Sequence, residues 1–102
     1  MSFKAGFIAP PLPHTRGDSV SALSLIDRIS KEAHRGCGLY YEIYHYRVVE
    51  ALLALLPLLS AGDADTLRQC AAGQGFHLDD EAREASELAY RNVLNNIRRE
   101  QE

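Results

Sequence analysis

The sequence predicts an all-α protein: a small antiparallel domain of three to four helices, preceded by an extended proline-containing arm. Three observations carry that prediction. Apolar residues from Val20 onward recur at three- and four-residue intervals, the spacing of one helix face. No stretch shows the apolar–polar alternation of a half-buried strand. Capping side chains and glycines separate the periodic segments. The resulting division is an arm over 1–17 and one helical domain over 18–102.

The arm, MSFKAGFIAPPLPHTRG, holds Pro10, Pro11 and Pro13. Proline fixes φ and removes a backbone donor, so neither a helix nor a central strand is expected here. Phe3, Phe7, Ile8 and Leu12 are more apolar side chain than a solvated tail needs, and a partly docked arm gripping a partner or another subunit is expected over Phe7 to Leu12. Pro10 to Pro13 also has the PxxP spacing that aromatic grooves read, a spacing that ordinary linkers carry as well.

Asp18 and Ser19 are good N-cap types for a helix over Val20 to His34. Its apolar side is Ala22, Leu23, Leu25, Ile26, Ile29 and Ala33. Gly36 is the expected stop, and the short link to Gly38 folds the next helix back beside the first.

That next helix begins near Leu39 and runs to Leu56 or beyond; it organises the chain. LYYEIYHYRVVEALLALLPLL is apolar nearly all round, with only Arg47 and Glu50, near Ile43 and Ala54, marking a strip suited to water. Neighbours should therefore cover most of it, and other helices of so short a chain are expected to leave one apolar stripe over. Tyr40, Tyr41, Tyr44 and Tyr46 fall within seven residues, although tyrosine is not a strong helix former. They are either a binding patch, where tyrosine combines apolar area with a hydrogen bond, or two core and two surface residues. Pro57 should kink or end the helix.

A short third helix is expected from Asp63 or Asp65 to Ala72, with Leu67, Cys70 and Ala71 inward and Gly73 as its stop. Phe76 and Leu78 in the following connector should plug the core. Asp79 caps the last helix, whose acidic start at Asp80 and Glu81 and basic end at Arg98 and Arg99 match the helix dipole. Its small stripe, Ala82, Ala85, Ala89 and Val93, should allow close packing on the organising helix.

A chain of 102 residues suits one domain with little surplus stability. A net charge of -3 without a basic stripe argues against direct nucleic-acid binding. The longest uninterrupted apolar run of the organising helix, Ala51 to Leu59, is about half the ~20 residues a membrane span needs. Two cysteines without an export signal imply a cytoplasmic protein with reduced thiols.

His34, Cys37, His45, Cys70 and His77 are the ligand-type residues. They do not assemble the ligand spacing of a zinc site, so no metal or other cofactor is expected. Cys37 before a helix start has the setting of a reactive thiolate, with His34 or His45 as assistant. Phosphate loop, nucleophile elbow and isolated carboxylate pair are all missing, so no enzymatic activity is expected; a thiol-dependent enzyme using Cys37 is the alternative.

The apolar arm Phe7 to Leu12 and the tyrosine-rich helix Tyr40 to Tyr46 resemble the small bacterial antiactivators of LuxR-type quorum-sensing regulators, in overall build across most of the chain. In a member of that group directed at the regulator LasR, the antiactivator acts as a dimer and occludes the regulator's own dimerisation surface. The resemblance implies a stoichiometric inhibitor that keeps a transcriptional activator from DNA. Gly73 to Glu81, GQGFHLDDE, is also similar to a segment of Nif11-type helical hairpins.

The expectation is thus a non-enzymatic, homodimeric regulatory protein that sequesters a protein partner, with an inhibitor from a phage or toxin system as another alternative. Phe7, Ile8, Tyr40, Tyr41, Tyr44 and Val48 are the expected partner-binding residues. Ala85, Ala89, Val93, Leu52 and Leu55 are the expected helix-packing or dimer residues, with the organising helix or the last helix as the dimer surface.

Overall fold

The computed structural model describes residues 15–35 and 40–101, with side chains from 20–35 and 40–101. The domain is all-α, and among the described residues it contains no strand. The elements are α1 (Thr15–Arg35), α2 (Tyr41–Leu55), a 3-10 turn (Leu56–Leu58), α3 (Ala61–Gly73) and α4 (Asp80–Gln101). No described helix is long and apolar enough to cross a membrane. The arm residues Phe7 and Ile8 lie outside the described residues, as does the link 36–39 with Cys37.

α1 begins at Thr15, so Asp18 and Ser19 lie inside the helix rather than at its cap. α2 passes at Leu56 into a 3-10 turn that contains Pro57, the break that proline's missing donor demands. The N-cap of α3 is Ser60, not an aspartate: its hydroxyl accepts from the Asp63 N–H at 3.1 Å. The left-handed residue after α3 is Gly75 (φ 94°), two positions past Gly73. The Gln74 and Phe76 N–H groups return to the Ala71 carbonyl, which closes the helix and turns the chain back. Asp79 caps α4 as expected, accepting from the Ala82 N–H at 3.2 Å.

α2 lies between α1 and α4, and α3 packs on α1. The core joins Ala22, Ile26 and Ala33 of α1, Val48, Val49 and Leu52 of α2, Leu67 and Ala71 of α3, and Phe76 and Leu78 of the connector. Ile26, Val48, Val49, Leu52 and Leu67 are fully buried, each worth roughly 1.5–3 kcal/mol of apolar burial. Leu25, Ile29, Leu55 and Cys70 pack half-buried around this core. Leu23, expected on the buried side of α1, is exposed.

The organising helix is covered more completely than its sequence implied. Ile43 is buried, Glu50 is half-buried, and only Arg47 and Ala54 of the proposed water-facing strip are exposed. The apolar stripe expected to remain uncovered on α2 is absent among the described residues, because α4 occupies that side. The incompletely covered helix is α4. Among the described residues it meets no element except α2, and its sole buried side chain is Ser86.

Candidate protein-binding site

The N-terminal end of α2 collects aromatic rings from three elements. The Tyr44 ring lies 5.8 Å from that of His34 at the end of α1 and 6.0 Å from that of Phe76 in the connector. The His45 ring is 5.4 Å from Phe76. Tyr41 covers both, at 5.8 Å from Tyr44 and 5.6 Å from His45. The local cause is helical spacing, which stacks Tyr41, Tyr44 and His45 on one face. The tertiary cause is Phe76, which the turn at Gly75 delivers beneath them.

Hydrogen bonds hold this cluster in place. The Tyr44 hydroxyl bonds the Ser30 hydroxyl across the α1–α2 hairpin. His45 is tied at both ring nitrogens: Nε2 lies 3.1 Å from the Gly75 carbonyl and Nδ1 3.1 Å from the Ser86 hydroxyl. The carbonyl can only accept, so Nε2 carries a proton and donates to it. In the neutral ring, Nδ1 then accepts from Ser86. His45 therefore joins α2, the connector and α4 at one point, and both nitrogens are occupied by structural partners rather than presented to a thiol.

On the other side of α2, the Tyr46 and Tyr90 rings stack at 4.1 Å and 7°. Arg83 Nε donates to Glu50 at 3.1 Å beside them. The Tyr46 hydroxyl is held above its ordinary value, first by desolvation and then by the negative charges of Glu50 and Glu87. Arg83 is raised chiefly by its hydrogen bond to Glu50. These pairings run antiparallel, Arg83 opposite Glu50 and Tyr90 opposite Tyr46, and the same register carries roughly the last two turns of α4 past the start of α2.

The residues expected to bind a partner therefore separate. Tyr41 is 62% exposed and Tyr40 39%, and Tyr40 and Tyr41 are available to a partner. Tyr44 is half-buried and bonded within the chain, so it supports the patch from below. Val48 is 0% exposed and is corrected from a binding residue to a core residue, because its face of α2 meets α1 and the core. Leu52 is likewise core, and Leu55 packs at the edge of it. Ala89 and Val93 are half-buried, whereas Ala85 is exposed and stands off the α2–α4 seam. That seam is Ala82, Ser86, Ala89 and Val93, and Ser86 takes the place expected for Ala85. Sequence reasoning passed over Ser86 because a lone serine in an alanine stripe carries no signal until its histidine is known.

Among the described residues, no three His, Cys, Asp or Glu side chains converge as metal ligands would. No protein-family model matches the chain, and neither a curated protein nor a solved structure matches it.

Proposed function

We propose that this chain is a non-enzymatic regulatory protein that captures a protein partner on the tyrosine patch at the start of α2. The observation that carries the reading is Tyr41: a large side chain 62% in water, yet positioned by Tyr44 and His45 beneath it. An aromatic anchor ordered before binding loses little conformational freedom on binding, which is the property of an interface hot spot. Tyr40 extends the patch. In the finer form of the proposal the partner is a transcriptional activator of the LuxR type, held so that it can neither dimerise nor bind DNA; the apolar arm and tyrosine-rich helix support that choice.

Titration of the purified chain against a LuxR-type activator, read by the activator's dimer fraction and operator binding, tests both levels. Tyr41→Ala is expected to weaken capture by about 30-fold, equivalent to about 2 kcal/mol, with helicity unchanged. Unaltered affinity in that variant overturns the recognition surface. An activator that stays dimeric at saturating chain removes the transcriptional reading, while capture of another protein that Tyr41→Ala abolishes retains the surface.

A further inference from the structure

Three large apolar side chains stand in water at the end of the domain where α1 begins and α2 ends: Val20 at 63%, Leu23 at 44% and Leu58 at 78% exposed. One contact fixes how they lie relative to each other. Ser30 meets Tyr44 across the α1–α2 hairpin. Leu23 is seven residues before Ser30 and Ala51 seven after Tyr44, two helical turns in each case, so the same pair of stripes sets Leu23 level with Ala51. Nearer the start of α1, Val20 is level with the exposed Ala54, and Leu58 follows four residues after Ala54. The result is a shallow apolar trough along the outer side of the hairpin. Asp27 and Arg47, exposed and level with one another, bound it toward the tyrosine patch. No other described helix contacts both α1 and α2, so none lies over it.

The sequence that leads into α1 matches this trough in chemistry and in length. From Phe7 to Pro13 it reads FIAPPLP, without one charged or hydrogen-bonding side chain. Pro10, Pro11 and Pro13 carry no backbone N–H, so covering this stretch leaves few donors to satisfy. Proline also pre-sets an extended shape, which lowers the ordering cost of docking. A turn at Pro13 and His14 sends the stretch back alongside α1. From Leu12 to Ile8 an extended chain covers about 12 Å, and from Thr15 to Leu23 the helix also rises about 12 Å. Leu12 then comes over Val20 and Leu58, and Ile8 and Phe7 over Leu23 and Ala51. The short tether holds the segment at an effective concentration on the order of millimolar, which favours it over the same segment of another copy.

We infer that Phe7 to Pro13 docks in the α1–α2 trough of its own chain, as an extended strap over Val20, Leu23, Ala51, Ala54 and Leu58. The trough ends at Asp27 and Arg47, about two turns short of Tyr40, so the strap leaves the tyrosine patch open. Phe7 and Ile8 then hold the hairpin rather than a partner. The inference does not rest on what the patch binds.

Photo-crosslinking of the intact chain tests the docking, with the photoreactive benzoylphenylalanine in place of Phe7. Links are expected within the 11.3 kDa monomer, to Val20–Leu23 or to Ala51–Leu58. Links to Tyr40 or Tyr41, links only between chains, or no link to the trough overturn the inference. Leu23→Glu with Leu58→Glu changes two exposed side chains and leaves the core alone. It should reduce the links at least tenfold and, in the chain with Phe7 restored, speed chymotryptic cleavage after Phe7 at least tenfold with helicity unchanged. Leu12→Asp, outside the helices, should give the same faster cleavage even if the double variant loses helicity. Cleavage after Phe7 that is equally fast in the parent chain and in the Leu12→Asp variant overturns the inference as well.

Discussion

The body formed by α1, α2 and α3 and the appended α4 are held by different physics. The body shares one apolar core to which every one of its helices and the Phe76–Leu78 connector contribute. α4 places no residue in that core; it is fixed by the His45–Ser86 hydrogen bond, the Tyr46–Tyr90 stack and the Arg83–Glu50 pair. Apolar burial is large and undirected, whereas these contacts are smaller and specific in geometry. The body therefore supplies stability. The α2–α4 seam sets where α4 lies, and α4 is the element expected to open first in the native state.

The sharpest way to break this contrast is to weaken each side separately. Leu52→Ala empties a fully buried site where α1, α2 and α3 meet. A cost of about 2–5 kcal/mol is expected, seen as an earlier denaturant midpoint for α1, α2 and α3 together, with α4 lost no later than they are. If instead α1, α2 and α3 kept their stability, the division into body and appendage would be wrong.

Ser86→Ala acts on the seam. It leaves His45 Nδ1 without its donor, for about 1–2 kcal/mol, and the loss should appear as faster amide exchange in α4 with exchange in α2 and α3 nearly unchanged. Uniform acceleration across all four helices would mean that α4 belongs to the same cooperative unit as the body.

The smallest effect concerns Tyr46. Its hydroxyl is raised above the ordinary value of 10.0, so the folded state favours the protonated phenol. The stability this contributes is fully present below pH 10 and is lost as pH rises through the higher folded-state value. Titration followed by tyrosinate absorbance should show a late phase from Tyr46. Tyr46→Phe should remove that late phase and flatten the alkaline loss of stability.

How much of this was legible beforehand depends on how local the cause is. Periodicity placed Ile26, Leu67 and Ala71 inside, because each lies on an apolar arc bounded by polar residues. Pro57 ended α2 and Asp79 capped α4 for reasons contained within a few residues. The same method put Val48 on the binding surface, since a helix apolar nearly all round has no single inward face for a pattern to select. It also preferred Asp63 or Asp65 to Ser60 as the cap of α3, because all three are good cap types and only the path of the chain decides among them.

The sequence by itself determined the helical class, most helix ends and most of the core, since backbone propensity, capping and burial periodicity act over one to four turns. Only the tertiary structure decided the rotation of α2 between its neighbours. That rotation buried Val48, drew Tyr44 to Ser30, placed His45 between Gly75 and Ser86, and left Tyr40 and Tyr41 outside. Contacts 14 to 41 residues apart in the chain fixed it, and no local pattern encodes which of several equally apolar arcs will meet them.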